Sequence, residues 1–344
     1  MKFEPITIKD IAKALGLSTS TVSRALRDGY EISAETRRIV LEYAEKINYQ
    51  PNPIALSLKE RRSHSIGVIV CEIANNFFSQ AINGIESIAY NSGYHVIITQ
   101  SHESAGREVI NLKHLASRSV DGLLVSLSSE TNDISHFKEL HDKGLPIVFF
   151  DRVTNDIYTH KVIANNFKGA FDATEYLINS GCRNIAHLTA SAHLSITKER
   201  LDGYKEALRK YHIPFREEYV QYCNHGGMIQ DEMERAVNSL IELENQPDSI
   251  FAANDKLTTG CLLALKKSDP AVASSIKITG FTNSNLTELF ATSLTSVRQP
   301  AFEMGQIATS LLIELIESKR PVTDFQTRVL DTEMIIKNKV VAVS

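Results

Sequence analysis

Polar and apolar positions near the N-terminus follow a helical rhythm that breaks twice. Thr7 and Asp10 have the spacing of a capping box, and Gly16 stands where a left-handed residue can end the helix. The apolar positions of this first helix are Ile8, Ile11, Ala12 and Leu15. Ser18 and Ser33 can each cap a further helix. Two short helices joined by a glycine-containing turn of about three residues predict a helix-turn-helix unit.

From residue 65 the chain alternates between short apolar runs and stretches with helical periodicity. The first series of predicted strands consists of residues 66–70, 95–99, 122–126 and 146–150. The second series consists of residues 161–164, 184–188, 219–222, 249–252 and 276–281. Apolar strands between helices are typical of parallel sheets covered on both faces. The pattern therefore predicts two Rossmann-like lobes, with a ligand cleft at the carboxyl ends of the strands.

Elements near the C-terminus complete both predicted lobes. We expect the strand at 295–298 to return the chain to the first lobe, where a long helix at 302–317 packs. Short strands near 328–329 and 334–336 then finish the two sheets. The fold class predicted is an all-α helix-turn-helix head plus an α/β body, which has two Rossmann-like lobes with parallel sheets and resembles periplasmic binding proteins.

A proline-rich segment separates the head from the body. Pro51 and Pro53 disfavour helix for the residues that precede them, whereas Asn52 can cap a new helix with Pro53 at its first position. Such a helix has only about two turns and is too short to be stable alone in water. The segment is therefore either a switch element that orders against a partner surface or an ordinary linker.

The net charge is unevenly distributed along the chain. The whole sequence carries 37 basic and 41 acidic residues, for a net charge of −4. Residues 1–62 contain eleven basic and eight acidic residues, a net charge of +3, and the remainder contains 26 basic and 33 acidic residues, a net charge of −7. A basic head on an acidic body points to DNA or an anionic surface as the partner of the head.

The outer face of the second helix carries short hydroxyl groups and one guanidinium. These residues are Thr19, Ser20, Thr21, Ser23 and Arg24. Short hydroxyls allow close approach to a groove and bond phosphates or base edges, while an arginine can bind guanine through two hydrogen bonds. The alternative is a solvated helix built from residues of modest helix propensity.

Residues 7–10, 18–24 and 51–59 together resemble the DNA-binding head of the lactose-repressor/galactose-repressor family of bacterial transcription regulators. The likeness is nearly continuous from residue 6 to residue 70, and the remaining chain resembles the sugar-binding core of that family in outline. The resemblance implies a recognition helix in the major groove, with Thr19, Ser20 and Arg24 at base-reading positions. It implies phosphate contacts by Thr7, Ser18, Thr21 and Ser23.

The resemblance extends to the proline-rich segment. In the family, the hinge helices of a dimer pack together in the minor groove, and Leu58 matches the apolar wedge that kinks DNA at a central base step. The implied minor-groove residues are Asn52, Ala55, Leu58 and Lys59. Leu56 stands where the family commonly carries arginine, so one phosphate or groove contact is expected to be missing.

Polar and aromatic residues follow several predicted strands of the body. An apolar sugar face can stack on a ring while carboxylates, amides and guanidinium groups bond its hydroxyls, although Asn254 and Asp255 can also cap a helix and Phe78 can belong to the core. The resemblance places an effector site at Asn75, Phe77, Phe78, Asp151, Arg152, Arg200, Asn254, Asp255 and Thr282. Thr282 replaces a carboxylate common in the family, and Leu194 and Ile196 replace polar groups of a purine-binding relative, which argues against a purine.

Several function classes lack their signatures in the sequence. No apolar run approaches the roughly 18 residues of a membrane span, and the N-terminus has no apolar signal core, so we expect a cytoplasmic, nucleoid-associated protein. The four cysteines are widely spaced and are expected to be buried, reduced thiols. No phosphate-binding glycine motif, nucleophile elbow or paired histidine spacing occurs, so no cofactor, metal or catalytic role is predicted.

These inferences divide the chain into three segments. Residues 1–50 form the DNA-binding domain, residues 51–63 the hinge helix and linker, and residues 64–344 the effector-binding and dimerisation domain. The first lobe is expected at about 64–160 plus 297–328, and the second at about 161–296 plus 329–344.

The predicted function is a ligand-responsive transcription regulator, with repression as the expected mode of action. It would bind a pseudo-palindromic operator in double-stranded DNA as a homodimer or tetramer, and a sugar or sugar derivative between the lobes would control its affinity. The alternative is a sugar sensor or transport-type solute-binding protein without DNA regulation. Inducer and corepressor both remain open as the effector's role.

Overall fold

The structure of the protein, a computed structural model, describes residues 6–27, 32–49, 62–268, 275–284 and 294–336. The chain divides into two compact units between His64 and Ser65. The four minor-groove residues expected in the hinge, Asn52, Ala55, Leu58 and Lys59, lie outside the described residues.

The described residues of the N-terminal unit form three helices. They are α1 (Ile8–Leu15), α2 (Thr19–Ala25) and α3 (Ala34–Lys46). The carboxylate of Asp10 accepts hydrogen bonds from the backbone N–H of Thr7 at 2.8 Å and from its hydroxyl at 2.7 Å. Gly16 follows α1 with a φ of 65°, which allows the chain to turn sharply. The predicted start and end of the first helix are both confirmed.

The second and third helices also begin where serine caps were predicted. The hydroxyl oxygen of Ser18 accepts from the backbone N–H of Thr21 at 3.1 Å, and that of Ser33 accepts from Thr36 at 3.2 Å. The three helices share one small apolar core formed by Ile11, Ala12, Val22, Ala25, Val40 and Ala44. This arrangement confirms the helix-turn-helix fold of the head.

Two six-stranded sheets lie in the part of the second unit that the structure describes. The strands are β1 (Ser65–Val70), β2 (His95–Gln100), β3 (Gly122–Val125), β4 (Ile147–Phe150), β5 (Lys161–Ala164), β6 (Ile185–Thr189), β7 (Val220–Tyr222), β8 (Ser249–Ala252), β9 (Lys277–Phe281), β10 (Thr295–Arg298), β11 (Thr327–Leu330) and β12 (Glu333–Ile335). The first sheet has the order β11-β5-β4-β3-β1-β2 and is parallel throughout. The second has the order β12-β10-β9-β8-β6-β7, in which only β12 runs antiparallel to its neighbour. Two parallel α/β lobes are thus confirmed.

Helices cover both faces of each sheet. They are α4 (Asn76–Asn91), α5 (Ala105–Ser117), α6 (Ser135–Asp142), α7 (Asn166–Asn179), α8 (Ser195–Lys210), α9 (Gln230–Ile241), α10 (Asp255–Lys267) and α11 (Ala301–Glu317). Each lobe contains two large apolar clusters built from strand and helix residues. The inner strands of both sheets are buried nearly along their whole length, whereas the edge strands β2, β7, β11 and β12 are partly exposed. Burial on both faces explains why most inner strands are apolar runs rather than alternating patterns.

The predicted boundaries of the lobes are wrong at three strands. Strand β5, expected to open the second lobe, pairs with β4 and β11 in the first sheet. Strand β10, expected to return to the first lobe, pairs with β9 in the second sheet. The expected boundary at residue 328 cuts through β11, which lies in the first sheet. Apolar composition shows that a strand is buried but does not identify its partner. The link from Phe150 to Lys161 contains no helix and is shorter than the usual connection between parallel strands, so it did not suggest that β4 and β5 are parallel neighbours in one sheet.

Candidate functional site

The outer face of α2 presents the residues expected to read bases. Thr19, Ser20 and Arg24 are exposed, while Val22 and Ala25 on the opposite face are buried in the core of the unit. A helix with one face anchored and the other carrying hydroxyl and guanidinium groups can present these groups to a groove. Their contacts with particular bases remain a prediction.

Two of the residues expected to hold phosphates also cap helices. The Thr7 hydroxyl donates to Asp10, and the Ser18 hydroxyl lies 2.8 Å from that of Thr21 in addition to accepting from the Thr21 backbone. Thr21 and Ser23 are half-buried, whereas Thr7 and Ser18 are exposed. The caps fix where α1 and α2 begin, so these side chains shape the surface whether or not they contact phosphate.

In the second unit, a cavity lies between the two lobes. Eight of the nine residues expected to bind an effector line it: Asn75, Phe77, Phe78, Asp151, Arg152, Arg200, Asn254 and Asp255. The ninth, Thr282, is buried beside the cavity and donates a hydrogen bond from its hydroxyl to the carboxylate of Asp255. The cavity also contacts Ile196, the position that argued against a purine. The structure therefore brings these residues together, and effector contact by each remains a prediction.

The strand ends explain how separate segments reach one cavity. Asp151 directly follows β4, where its backbone adopts a left-handed conformation with a φ of 59°. Asn75 and Asn254 begin α4 and α10 and accept hydrogen bonds from the backbone N–H groups of Phe77 and Leu257 at 2.9 and 2.8 Å. The carboxyl ends of parallel strands in both lobes meet at this edge, as expected for an open α/β sheet.

Arg152 and Glu103 form a buried ion pair in the wall of the cavity. Arg152 Nη1 donates to Glu103 Oε2 at 2.6 Å, and the two side chains are only 7% and 9% exposed. The backbone N–H of Ser129 donates to the same oxygen at 2.7 Å. Burial opposes ionisation of Glu103, but the charge and hydrogen bond of Arg152 prevail and the pKa of Glu103 is lowered.

Arg200 is almost completely buried at the base of the second lobe's wall. Its Nε and Nη2 donate to Asn166 Oδ1 at 2.9 and 2.7 Å, and its Nη1 donates to the carbonyl oxygen of Ala253. The guanidinium carbon lies 3.8 Å from the centre of the Phe281 ring. Burial lowers the pKa of Arg200 to about 10, so the side chain remains a cation at neutral pH. Three of its five N–H donors thus serve the protein scaffold.

Burial also affects the carboxylate of Asp151. It raises the pKa of Asp151, against the opposing charges of Arg152 and Arg200 and a long hydrogen bond of 3.4 Å from the Gln299 amide. Burial thus shifts Asp151 toward the protonated form, which can donate a hydrogen bond as well as accept one. Asp255, on the opposite wall, accepts from Thr282 and can still accept from a ligand hydroxyl.

Direct contacts connect the two walls of the cavity. Lys256 Nζ of the second lobe lies 2.9 Å from Glu72 Oε2 of the first. Asn283 Nδ2 donates to Gln80 Oε1 at 2.7 Å, and Gln80 Nε2 donates to the carbonyl oxygen of Asn283 at 3.2 Å. The cavity between these contacts has a volume of about 30 Å³.

The sequence analysis missed several residues of the cavity wall. They are Cys71, Glu72, Glu103, Gly226, Met228, Lys256 and Gln299. Glu103 could have been found, because it lies just beyond the end of β2 and the rule that selected Asp151 applies equally to it. Gln299 directly follows β10, so the same rule applies to it. Lys256 lies in the first turn of α10, and its contact with Glu72 depends on how the two lobes pack, which no local pattern encodes.

The residues that the structure describes show neither a metal-binding cluster nor a membrane-spanning helix. These residues contain no group of three or more His, Cys, Asp or Glu side chains arranged to hold a metal ion. Likewise, none of the helices within the described ranges is long and apolar enough to cross a membrane.

Comparisons with known proteins match both units. The family described as periplasmic binding proteins and sugar binding domain of the LacI family matches residues 63–336, and the family described as bacterial regulatory proteins, lacI family, matches residues 7–52. The HTH-type transcriptional repressor PurR of Vibrio campbellii is 30% identical over 336 residues, which cover 97% of this chain and 98% of that protein.

Two solved structures align over nearly the whole chain. The complex of the transcriptional regulator CelR with cellobiose has a TM-score of 0.71 and 26% identity, covering 96% of this chain and 98% of that one. The lac repressor dimer bound to operator and the anti-inducer ONPF has a TM-score of 0.78 and 22% identity, covering 97% of this chain and 98% of that one, and shows the shared fold. The chain therefore belongs to the LacI family of bacterial regulatory proteins, which are DNA-binding, ligand-regulated repressors of transcription.

Proposed function

We propose that this chain represses transcription from a pseudo-palindromic operator as a homodimer and that a sugar or sugar derivative in the interlobe cavity controls its operator affinity. The observation that carries the effector proposal is the composition of the cavity wall, which combines two phenyl rings with buried carboxylate, amide and guanidinium groups. The proposal places the protein in the cytoplasm, where chromosomal DNA lies, and gives it no catalytic role, in keeping with its regulator relatives.

The wall suits a saccharide for two reasons. The rings of Phe77 and Phe78 are packed edge to face with centres 5.2 Å apart, and they offer an apolar surface to the carbon face of a sugar. Asp151, Asn254 and Asp255 offer hydrogen-bonding groups to its hydroxyls. The likeness to CelR, a relative solved in complex with cellobiose, supports the same class of ligand.

The proposed DNA contacts follow the exposed surface of the head. Thr19, Ser20 and Arg24 would read base edges in the major groove, and the hydroxyl residues at the helix starts would contact phosphates. Two heads in a C2 dimer would match the two half-sites of an operator, and the lac repressor, which shares this fold, is a dimer on its operator. The predicted hinge residues, Leu58 foremost, would occupy the minor groove between the half-sites.

Coupling between ligand and DNA would pass through the angle between the lobes. A ligand that contacts Asp151 of the first lobe and Asp255 of the second favours the lobe arrangement in which both contacts form. That arrangement would change how readily the hinge segment docks in the minor groove. By linkage, operator DNA would change the affinity for the ligand by the same factor.

A thermal-shift screen of saccharides on the full-length chain tests the effector proposal. We expect at least one sugar or sugar derivative to raise the melting temperature, and we expect the same compound to change operator affinity in an anisotropy titration. An operator duplex can be obtained by selection from random DNA. A purine or amino acid that stabilises the protein while every saccharide fails would overturn the saccharide assignment.

A further inference from the structure

The carboxylate of Glu103 has an unusual placement in the cavity wall. Glu103 and its neighbour His102 both have left-handed backbones, with φ values of 63° and 48°, which residues other than glycine rarely adopt. This turn directs a carboxylate into a wall where Glu103 as a whole is only 7% exposed. Such a placement needs compensating interactions, because an isolated buried charge is strongly disfavoured.

The two oxygens of Glu103 have different surroundings. Oε2 accepts from Arg152 Nη1 at 2.6 Å and from the Ser129 backbone at 2.7 Å. Oε1 lies on the side of Gly226 in the opposite lobe, 3.3 Å from the position that a Cβ on this glycine would occupy. Glu103 therefore holds Arg152 with one oxygen and reaches the facing wall with the other.

The positive and negative charges of the cavity wall nearly cancel. The carboxylates are Glu72, Glu103, Asp151 and Asp255, and the cations are Arg152, Arg200 and Lys256. Lys256 is paired with Glu72 and Arg152 with Glu103. With Asp151 ionised the wall carries a net charge of −1, and with Asp151 protonated it is neutral. In neither state does this wall offer a net positive charge to an anion.

The helix N-termini at the cavity do not supply an anion site either. The side chains of Asn75 and Asn254 already accept from backbone N–H groups at the starts of α4 and α10. Asp255 adds a carboxylate to the first turn of α10, where a bound anion would otherwise be favoured. A phosphate or carboxylate placed here would meet capped termini, and Arg152 and Lys256 already have carboxylate partners. The remaining cation, Arg200, interacts electrostatically with the carboxylates of Asp151 and Glu199, so an added anion would also be repelled by these groups.

We propose that Glu103 is a specificity-determining residue that restricts the cleft to uncharged, hydroxyl-bearing effectors, because it neutralises Arg152 and thereby excludes saccharides carrying a phosphate or carboxylate group. The proposal rests on the saccharide function proposed above and narrows its ligand class. Removing the charge of Glu103 while keeping its shape frees a buried guanidinium, which binds phosphate through two parallel hydrogen bonds when it is available.

The test compares wild-type protein, Glu103→Gln and the double variant Glu103→Gln/Arg152→Gln, all as the full chain. Inorganic phosphate is the probe, titrated by calorimetry and by thermal shift at constant ionic strength. We expect Glu103→Gln to bind phosphate at least tenfold more tightly than the wild type, and we expect the double variant to return to the wild-type value. A folded Glu103→Gln variant with no gain in phosphate affinity would overturn the proposal.

The wild-type protein provides an independent test that does not depend on either variant folding. In the thermal-shift assay, ribose is compared with ribose 5-phosphate and glucose with glucose 6-phosphate, and cellobiose and glucuronate are also included. We expect stabilisation by neutral sugars only, and a larger shift from a sugar phosphate than from its parent sugar would contradict the role of Glu103 while leaving the saccharide function intact. If no saccharide of either kind stabilises the protein, the saccharide function fails, and the phosphate titration of Glu103→Gln still decides the role of this residue.

Discussion

Replacing Arg200 with methionine tests whether this buried arginine supports the scaffold of the cleft. Methionine keeps an unbranched apolar stem but removes the charge and every donor. The variant leaves two buried acceptors without their donors, namely Asn166 Oδ1, which receives two bonds of 2.9 and 2.7 Å, and the carbonyl oxygen of Ala253. It also removes the guanidinium stacked 3.8 Å from the centre of the Phe281 ring.

The contacts set the size of the expected effect. Each unsatisfied buried acceptor costs about 1–3 kcal/mol, and loss of the stacking contact adds about 1–2 kcal/mol. Burial of the Arg200 charge is unfavourable, as its pKa of about 10 shows, and methionine removes this charge, which offsets part of the cost. The lost contacts less this relief give an expected net loss of about 3–5 kcal/mol in the free energy of unfolding. For a unit of this size the loss corresponds to a melting temperature lower by roughly 6–20 °C.

Arg209→Met is the matched control for this variant. Arg209 lies on the same helix, is exposed, and bonds only to Glu206, three positions earlier. Its replacement should leave the free energy of unfolding within the error of the measurement, because an exposed ion pair adds little to stability. Urea unfolding followed by circular dichroism, with calorimetry of the same samples, measures both variants. A free energy for Arg200→Met within about 1 kcal/mol of the wild type would refute the structural role assigned to Arg200.

Three further predictions concern the head and a buried histidine. Arg24→Ala should weaken operator binding by about 1–3 kcal/mol and relax the preference for one base pair of the operator. Anisotropy titrations with single-base operator variants measure this preference, and discrimination between base pairs equal to that of the wild type would show that Arg24 reads no base. Ser18→Ala removes the hydroxyl that accepts from the Thr21 backbone N–H at the start of α2. The free energy of unfolding of the head should fall by about 1 kcal/mol in urea, and an unchanged urea midpoint would argue against the cap. Burial lowers the pKa of His187 from 6.5 to about 3, so the unfolded chain binds the extra proton and wild-type stability should fall by about 1.4 kcal/mol per unit as pH falls through this window. In His187→Phe the new ring can stack between Tyr204 and Phe251. This variant should lose the histidine's contribution to the pH dependence of the melting temperature between pH 7 and 4, and an equal pH dependence in variant and wild type would contradict the lowered pKa of His187.

Local signals in the sequence predicted most elements of the fold. The capping box at Thr7 and the serine caps at Ser18 and Ser33 determine where the three helices of the head begin. In the body, runs of buried apolar residues gave the strands to within about two residues. These features depend on a few neighbouring residues, so a single sequence contains them.

Partnership between distant segments was the part that the sequence did not reveal. The residues of β5 and β10 do not identify a neighbouring strand, and only the pairing of β5 with β4 and of β10 with β9 assigns them to their sheets. The same limit applies to the cleft. Asp151 and Asn254 follow strands and could be predicted, whereas the pairing of Glu72 with Lys256 depends on how two lobes close on one another.

The measurement that tests the account most directly is the operator affinity of the full-length protein with and without the saccharide found by the thermal-shift screen. The account predicts that saturating saccharide changes the operator dissociation constant at least about fivefold, with a midpoint between the saccharide's dissociation constants for the free and the operator-bound protein. An operator affinity that stays the same at saturating saccharide would contradict the claim that the interlobe cavity controls DNA binding.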